Sequence, residues 1–163
     1  MTSNSENNFW SYSKMHYARP GVSAYCLQCQ NIYGGNVNIL LFCSWLGYRS
    51  IEISIQDLVE ACGEIEQWDL SVVKPLRKVR KHIAGSVIAT SKENIIVTLK
   101  KLELTSEKIE QDVLYRWALS QNFKTCDTID LESQIKNVNK YLAILDAPIL
   151  SAGHPLLSHT NFS

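Results

Sequence analysis

Apolar residues recur along the chain at spacings of three and four, a pattern that divides it into amphipathic helices rather than alternating strands. A first helix is predicted behind Asn7 or Asn8 as N-cap, running to about Ala18, with Phe9, Tyr12 and His16 on one face and Trp10 and Tyr17 on another. Pro20 suits the first position of a second helix, in which Val22, Tyr25, Cys26, Cys29, Ile32 and Tyr33 keep helical spacing as far as Gly34 and Gly35. Residues 37–46 are apolar around the whole circumference, which predicts a central buried helix stopped by Gly47; a strand is the alternative there. Ser54 and Asp57 have the spacing of a capping box and open a short helix through Leu58, Val59 and Cys62 to Gly63.

Trp68, Val72, Leu76, Val79 and Ile83 mark one face of a longer helix, which Pro75 should kink or divide near Val73 and Lys74. Thr90 and Glu93 offer a second capping box before Ile95, Leu99 and Leu102, although residues 94–98 favour β structure. From Ser106, the residues Ile109, Val113 and Trp117 trace another helix ending near Ser120 or Gln121, with Glu107 and Glu110 in its first turn, where acid suits the helix dipole. Asp130 caps the last helix, whose stripe is Leu131, Ile135, Val138, Leu142 and Leu145. The predicted fold is all-α, a compact single-domain bundle of about seven or eight short helices over residues 9–147. It has a flexible N-terminus at 1–8 and a loosely ordered tail at 148–163.

Composition narrows the function classes. The chain of 163 residues, 45% apolar, is long enough for one core. Its 16 basic and 16 acidic residues cancel, so no global field gathers nucleic acid or an acidic membrane, and such binding would need a local patch. No stretch approaches the ~20 apolar residues of a membrane crossing, and the polar N-terminus lacks the parts of a secretory signal, so a cytoplasmic protein is expected. Cys26, Cys29, Cys43, Cys62 and Cys126 are odd in number and mostly fall at apolar positions, the pattern of free buried thiols. Cys26 and Cys29 form C-x-x-C without a second pair, so neither zinc nor redox chemistry is assigned to them. His16, His82, His154 and His159 have no carboxylate at ligand spacing, and phosphate-loop, serine-elbow and zinc-helix motifs do not occur. Glu60 and Glu64 are the most suggestive acidic pair, but magnesium-dependent prenyl transfer needs two facing motifs. No catalytic residue, cofactor or metal is therefore assigned.

Phe9-Trp10-Ser11-Tyr12-Ser13, Tyr17-Ala18-Arg19-Pro20-Gly21-Val22, Cys26-Leu27, Val37-Asn38-Ile39-Leu40-Leu41-Phe42-Cys43, Trp45-Leu46-Gly47 and Val73-Lys74-Pro75-Leu76-Arg77 form a set. Together they resemble a family of small bacterial conserved hypothetical proteins with the pattern F-W-x-[FY]-S, Y-x-x-P-G-V, C-L-x-L-Q, V-N-x-L-L-F-C-x-W and V-x-P-L-R. The likeness covers Phe9 to about His82 and departs at Cys29, where the family tends to have Leu. It implies a cytoplasmic bacterial helical protein and transfers no active site or substrate.

Two groups of residues are candidates for function. Trp10, Tyr17, Asn38 and Trp45 could line a small-molecule pocket, and core packing explains the large rings as well. Asn38, in the most apolar segment, needs partners if buried, either by capping a helix or by touching a ligand. Lys74, Arg77, Lys78, Arg80 and Lys81 crowd five basic residues into eight positions. Of these, 74, 77, 78 and 81 share a face, which suits an acidic partner or RNA, or else simply faces solvent. The leading expectation is a non-enzymatic accessory or adaptor protein that binds a protein partner. The alternative is a small-molecule enzyme or binding protein with an aromatic pocket, and the third reading is RNA or anion binding through the basic face.

Overall fold

The computed structural model describes residues 7–87, 91–123 and 130–157. The expectations placed on residues 1–6, Thr90, Cys126, His159 and the rest of 158–163 lie outside the described residues. The helices are α1 (Asn8–Tyr17), α2 (Val22–Tyr33), α3 (Val37–Tyr48), α4 (Ile55–Trp68), α5 (Lys74–Gly85), α6 (Glu93–Ser120) and α7 (Leu131–Ile144), followed by a 3₁₀ turn at Pro155–Leu157. Among the described residues there is no strand. A π turn at Asp69–Val73 joins α4 to α5 without a break, so the seven α segments make six rods, slightly fewer than the pattern suggested.

The centre is α3, whose residues from Asn38 to Gly47 are all buried, and α7 lies along it. Gly47 does not stop α3 but lies inside it, because α7 comes so close that a Cβ there would stand 2.2 Å from the Cα of Gln134. Phe9, Phe42 and Trp45 pack with ring centroids 5.2 to 5.8 Å apart, so the aromatic concentration in the first third largely builds core. Several N-caps are side chains that accept backbone N–H groups, among them Asn7 from Trp10, Ser54 from Asp57 and Asp130 from Glu132.

Besides Gly47 and Gly63, which lie inside α3 and α4, three boundaries differ from the pattern for identifiable reasons. The second helix begins at Val22 rather than Pro20, since Gly21 at φ +85° turns the chain before it. Pro75 divides nothing. Its missing N–H and its ring would disturb the α ladder at Ser71, and the π turn absorbs the disturbance, with Lys74 N–H bonding the carbonyl of Asp69 five residues back. The last predicted pair of helices on the way to Ser120 is one helix of 28 residues, in which Ser106 is an interior, buried position whose carbonyl accepts the Trp68 indole N–H at 3.1 Å. Its buried stripe is Glu103, Ser106, Glu110, Leu114 and Trp117, one step away from Ile109, which is 40% exposed.

The segment after α7 is anchored as far as it is described, in contrast to a loosely ordered tail. Leu156 and Leu157 are fully buried, and the Leu156 carbonyl accepts the His16 Nε2–H at 2.8 Å. Leu150 exchanges hydrogen bonds with the Asn139 side chain at 2.7 and 3.0 Å. At the other end of the molecule, α5 and the first turns of α6 form a hairpin in which α5 buries no residue. Among the described residues no helix is long and apolar enough to cross a membrane.

Candidate functional site

A cleft of about 270 Å³ opens where α1, α2, the start of α3, α5 and the middle of α6 meet. The first helix contributes Trp10, Ser13, Lys14 and Tyr17, which share a face because they are spaced by three and four residues. Leu27, Val37, Leu41 and Leu104 add aliphatic wall. The polar part comes from Gln30, Asn38, Arg77, Arg80, Glu103, Glu107 and Gln111.

Of the pocket residues suggested by the sequence, Trp10, Tyr17 and Asn38 line this cleft and Trp45 does not. Trp45 lies seven residues along α3 from Asn38, roughly 10 Å at the helical rise, and is 3% exposed between Phe9, Phe42 and Tyr115. The Arg49 guanidinium covers its ring at 5.3 Å.

The five cations of the basic cluster separate once α5 is laid against α6. Arg80 grips the Glu103 carboxylate with two N–H groups, Nε on Oε1 and Nη2 on Oε2, the latter at 3.1 Å. Arg77 Nη2 donates to Glu107 at 3.0 Å. Lys74 pairs with Asp69 at 2.9 Å, Lys81 donates to Asn31 Oδ1 at 3.1 Å, and Lys78 is exposed. The two arginines thus form part of the cleft wall, while the lysines lie outside it.

Behind the cleft is a buried polar network that the sequence did not suggest. The N-cap of α3 is Asn36, whose side chain accepts from the N–H groups of Asn38 and Ile39. Asn38 does no capping. Its Nδ2 donates to Glu110 Oε2 at 2.6 Å and to the Glu107 carbonyl at 3.3 Å, and its Oδ1 accepts from Gln111 Nε2 at 2.8 Å. Asn36 Nδ2 also donates to Glu110 Oε2, at 3.2 Å. Glu110 is 1% exposed. Burial raises its pKa to about 7 against the hydrogen bonds from Asn38 and Asn36, with the negative charges of Asp69 and Glu107 adding to the rise. Burial likewise holds Glu107 above the ordinary carboxylate range, with Arg77 opposing it.

Two polar atoms on cleft-lining residues have no hydrogen-bond partner among the described residues, Ser13 Oγ and Gln111 Oε1, and each residue is 3% exposed. Glu103, Glu107 and Gln111 were missed because an amphipathic reading assigns polar side chains to the solvent-facing side of a helix. The available signal was their own spacing of four, which continues the buried stripe of α6 in polar residues.

The described cysteines offer no activated thiolate. Burial lifts Cys26 to about 12 and Cys62 to about 11, and it raises Cys29 and Cys43 as well. Among the described residues no group of three His, Cys, Asp or Glu side chains is placed to hold a metal ion. The cleft thus has aromatic and aliphatic walls, two arginine–glutamate pairs, Lys14, and two lining residues that each carry an unpartnered buried polar atom.

No curated protein and no solved structure matches the chain at significance. Residues 8–114, which include every residue lining the cleft, match the family model described as protein of unknown function (DUF2390), and the chain belongs to that family.

Proposed function

We propose that this is a ligand-binding protein that takes a small molecule into the cleft between α1 and α6. The observation that carries the reading is that two residues lining one cleft, Ser13 and Gln111, each hold a buried polar atom without a partner, Oγ and Oε1. A buried polar group left unsatisfied costs about 1–3 kcal/mol, and a ligand that meets both would recover that energy on binding. Trp10 and Tyr17 supply flat apolar contact, and Asn38 positions Gln111. Such a protein would work in the bacterial cytoplasm, where a reducing environment suits the free thiols of Cys26, Cys29, Cys43 and Cys62. The test is a fragment screen read by amide chemical shifts of the isotopically labelled protein. Shifts should gather at residues 10–17 and 103–111; hits scattered over the surface, or none at all, would refute the reading.

A protein partner is the second reading, favoured by the hairpin of α5 and α6, where Val79, Ile95, Val97 and Leu102 are each 48–50% exposed. Capture of a partner by the wild-type chain and its loss with Val97→Lys at unchanged helicity would support this reading. Its basic-face version predicts the same loss for Lys78→Glu with Lys81→Glu. Binding of RNA has less support, since Arg77 and Arg80 are already engaged by carboxylates.

A further inference from the structure

We infer that the cleft selects an uncharged ring compound that presents an N–H donor to Gln111 Oε1. The inference rests on the ligand-binding reading and goes further by naming the chemistry of the ligand.

The orientation of the network is set at Asn38, which itself lines the cleft. Asn38 faces two oxygens, Glu110 Oε2 at 2.6 Å and the Glu107 backbone carbonyl at 3.3 Å. A backbone carbonyl has no proton to give at any pH, so the amide group directed at it must be the NH₂. That fixes Asn38 Oδ1 on the other side, where it accepts from Gln111 Nε2 at 2.8 Å. Gln111 is fixed in turn, because its NH₂ is committed to Asn38 and its oxygen is left with lone pairs and no partner. The relay runs from Glu107 and Glu110 through Asn38 and ends in an acceptor at a cleft-lining residue. The complementary ligand group is a donor.

Of the five charged side chains that line the cleft, four cancel in pairs and Lys14 stays cationic. Glu103 and Glu107 neutralise Arg80 and Arg77 within the wall itself. An incoming carboxylate would lie near those two glutamates and the Gln111 lone pairs, and an incoming ammonium would lie near the two guanidinium groups. Lys14 at the rim is drawn over the Trp10 ring, 5.7 Å from its centroid. An uncharged donor meets none of these penalties. Tyr17 gives it a flat face on which to stack, and Trp10, whose ring carries Lys14 and also Lys108 at 6.0 Å, lines the wall beside it.

The test uses benzimidazole, an uncharged ring with one N–H, titrated into the labelled full-length protein at mildly alkaline pH. N-methylbenzimidazole lacks the donor, its carbon-methylated isomer keeps the donor with the same added bulk, and benzoate and benzylamine are the anionic and cationic controls. Benzimidazole and the carbon-methylated isomer should bind roughly fivefold to a hundredfold more tightly than the N-methyl compound, the range set by leaving one buried acceptor unmet. In Gln111→Met, and in Gln111→Leu should the first variant fold poorly, that ratio should fall to near unity while the shifts stay at Trp10 and Tyr17. Equal binding of both methyl isomers at the cleft would overturn the donor inference and leave ligand binding standing. Tighter binding of benzoate or benzylamine would overturn the uncharged class. No shift at the cleft with any of the five probes would remove the inference and the reading beneath it together.

Discussion

Replacing Glu110 by Gln removes a charge and almost no volume, and the buried network gives the size and sign of the effect. The folded protein holds the Glu110 proton with a pKa of about 7, against 4.5 for the ordinary side chain. Between those values the fold binds the proton and the unfolded chain releases it, so stability falls as pH rises through this window and the penalty is complete above it. The interval corresponds to roughly 3 kcal/mol at 1.36 kcal/mol for each pH unit. Gln can still accept from Asn38 and Asn36 through its amide oxygen, and its NH₂ takes the place of Oε1, which has no partner now. Urea unfolding followed by circular dichroism at about pH 4 and about pH 8.5 should show Glu110→Gln gaining on wild type by about 2–3 kcal/mol across that range. The same gain appears as roughly 5–10 °C in Tm for a domain of this size. Glu107, raised by burial, contributes in the same direction, while Glu52 and Asp130, lowered by their partners, contribute in the opposite one. Comparing variant with wild type cancels all three to first order. Stability curves that stay parallel across the range would refute the claim that this carboxyl is destabilised by burial.

Gly47→Ala should lose at least about 3 kcal/mol in the same unfolding assay, because its Cβ would meet the Gln134 backbone, Cα at 2.2 Å and N at 2.4 Å, where nothing can move aside cheaply. Leu156→Ala should cost about 2–5 kcal/mol and speed proteolysis after α7, whereas a segment attached only loosely would show neither effect. Arg80→Ala strands the buried Glu103 carboxylate with Arg77 3.9 Å away, for an expected loss of about 3–5 kcal/mol by thermal unfolding, which Arg80→Lys should only partly restore.

Most of the architecture was legible in the chain because most of the helices advertise themselves. The stripe of α7 begins behind Asp130, the cap of α4 is Ser54, and the all-apolar run of α3 is the centre of the bundle. The reading stayed open at residues 94–98 and failed at Gly47, and in both places tertiary contacts overrule local signals. Residues 94–98 favour strands in isolation but are helical against α5, and Lys92 Nζ secures the corner by donating to the carbonyls of Ala84 and Ser86. Gly47 carries the letter of a helix stop and serves close approach instead. The cleft was half legible. Trp10, Tyr17 and Asn38 could be noticed as aromatic or misplaced polar residues, but Glu103, Glu107 and Gln111 look like solvent-facing side chains until α1 and α5 are laid over them. The fate of the basic cluster was not legible, since it depends on which acids α6 presents to it.

The π turn at Asp69–Val73 sets which side chains of α5 face the acids of α6. Each residue of an α-helix advances the azimuth by about 100°, and a π turn takes up one extra residue within a single turn, so everything beyond it is set back by one position. Were the same residues wound as uninterrupted α-helix, Leu76 and Val79 would occupy the bearings now held by Arg77 and Arg80. The acids at 103 and 107 would then face aliphatic side chains in place of two-pronged guanidinium forks. The wide turn therefore acts as a key, and it decides that a cationic row and not an aliphatic one is turned inward.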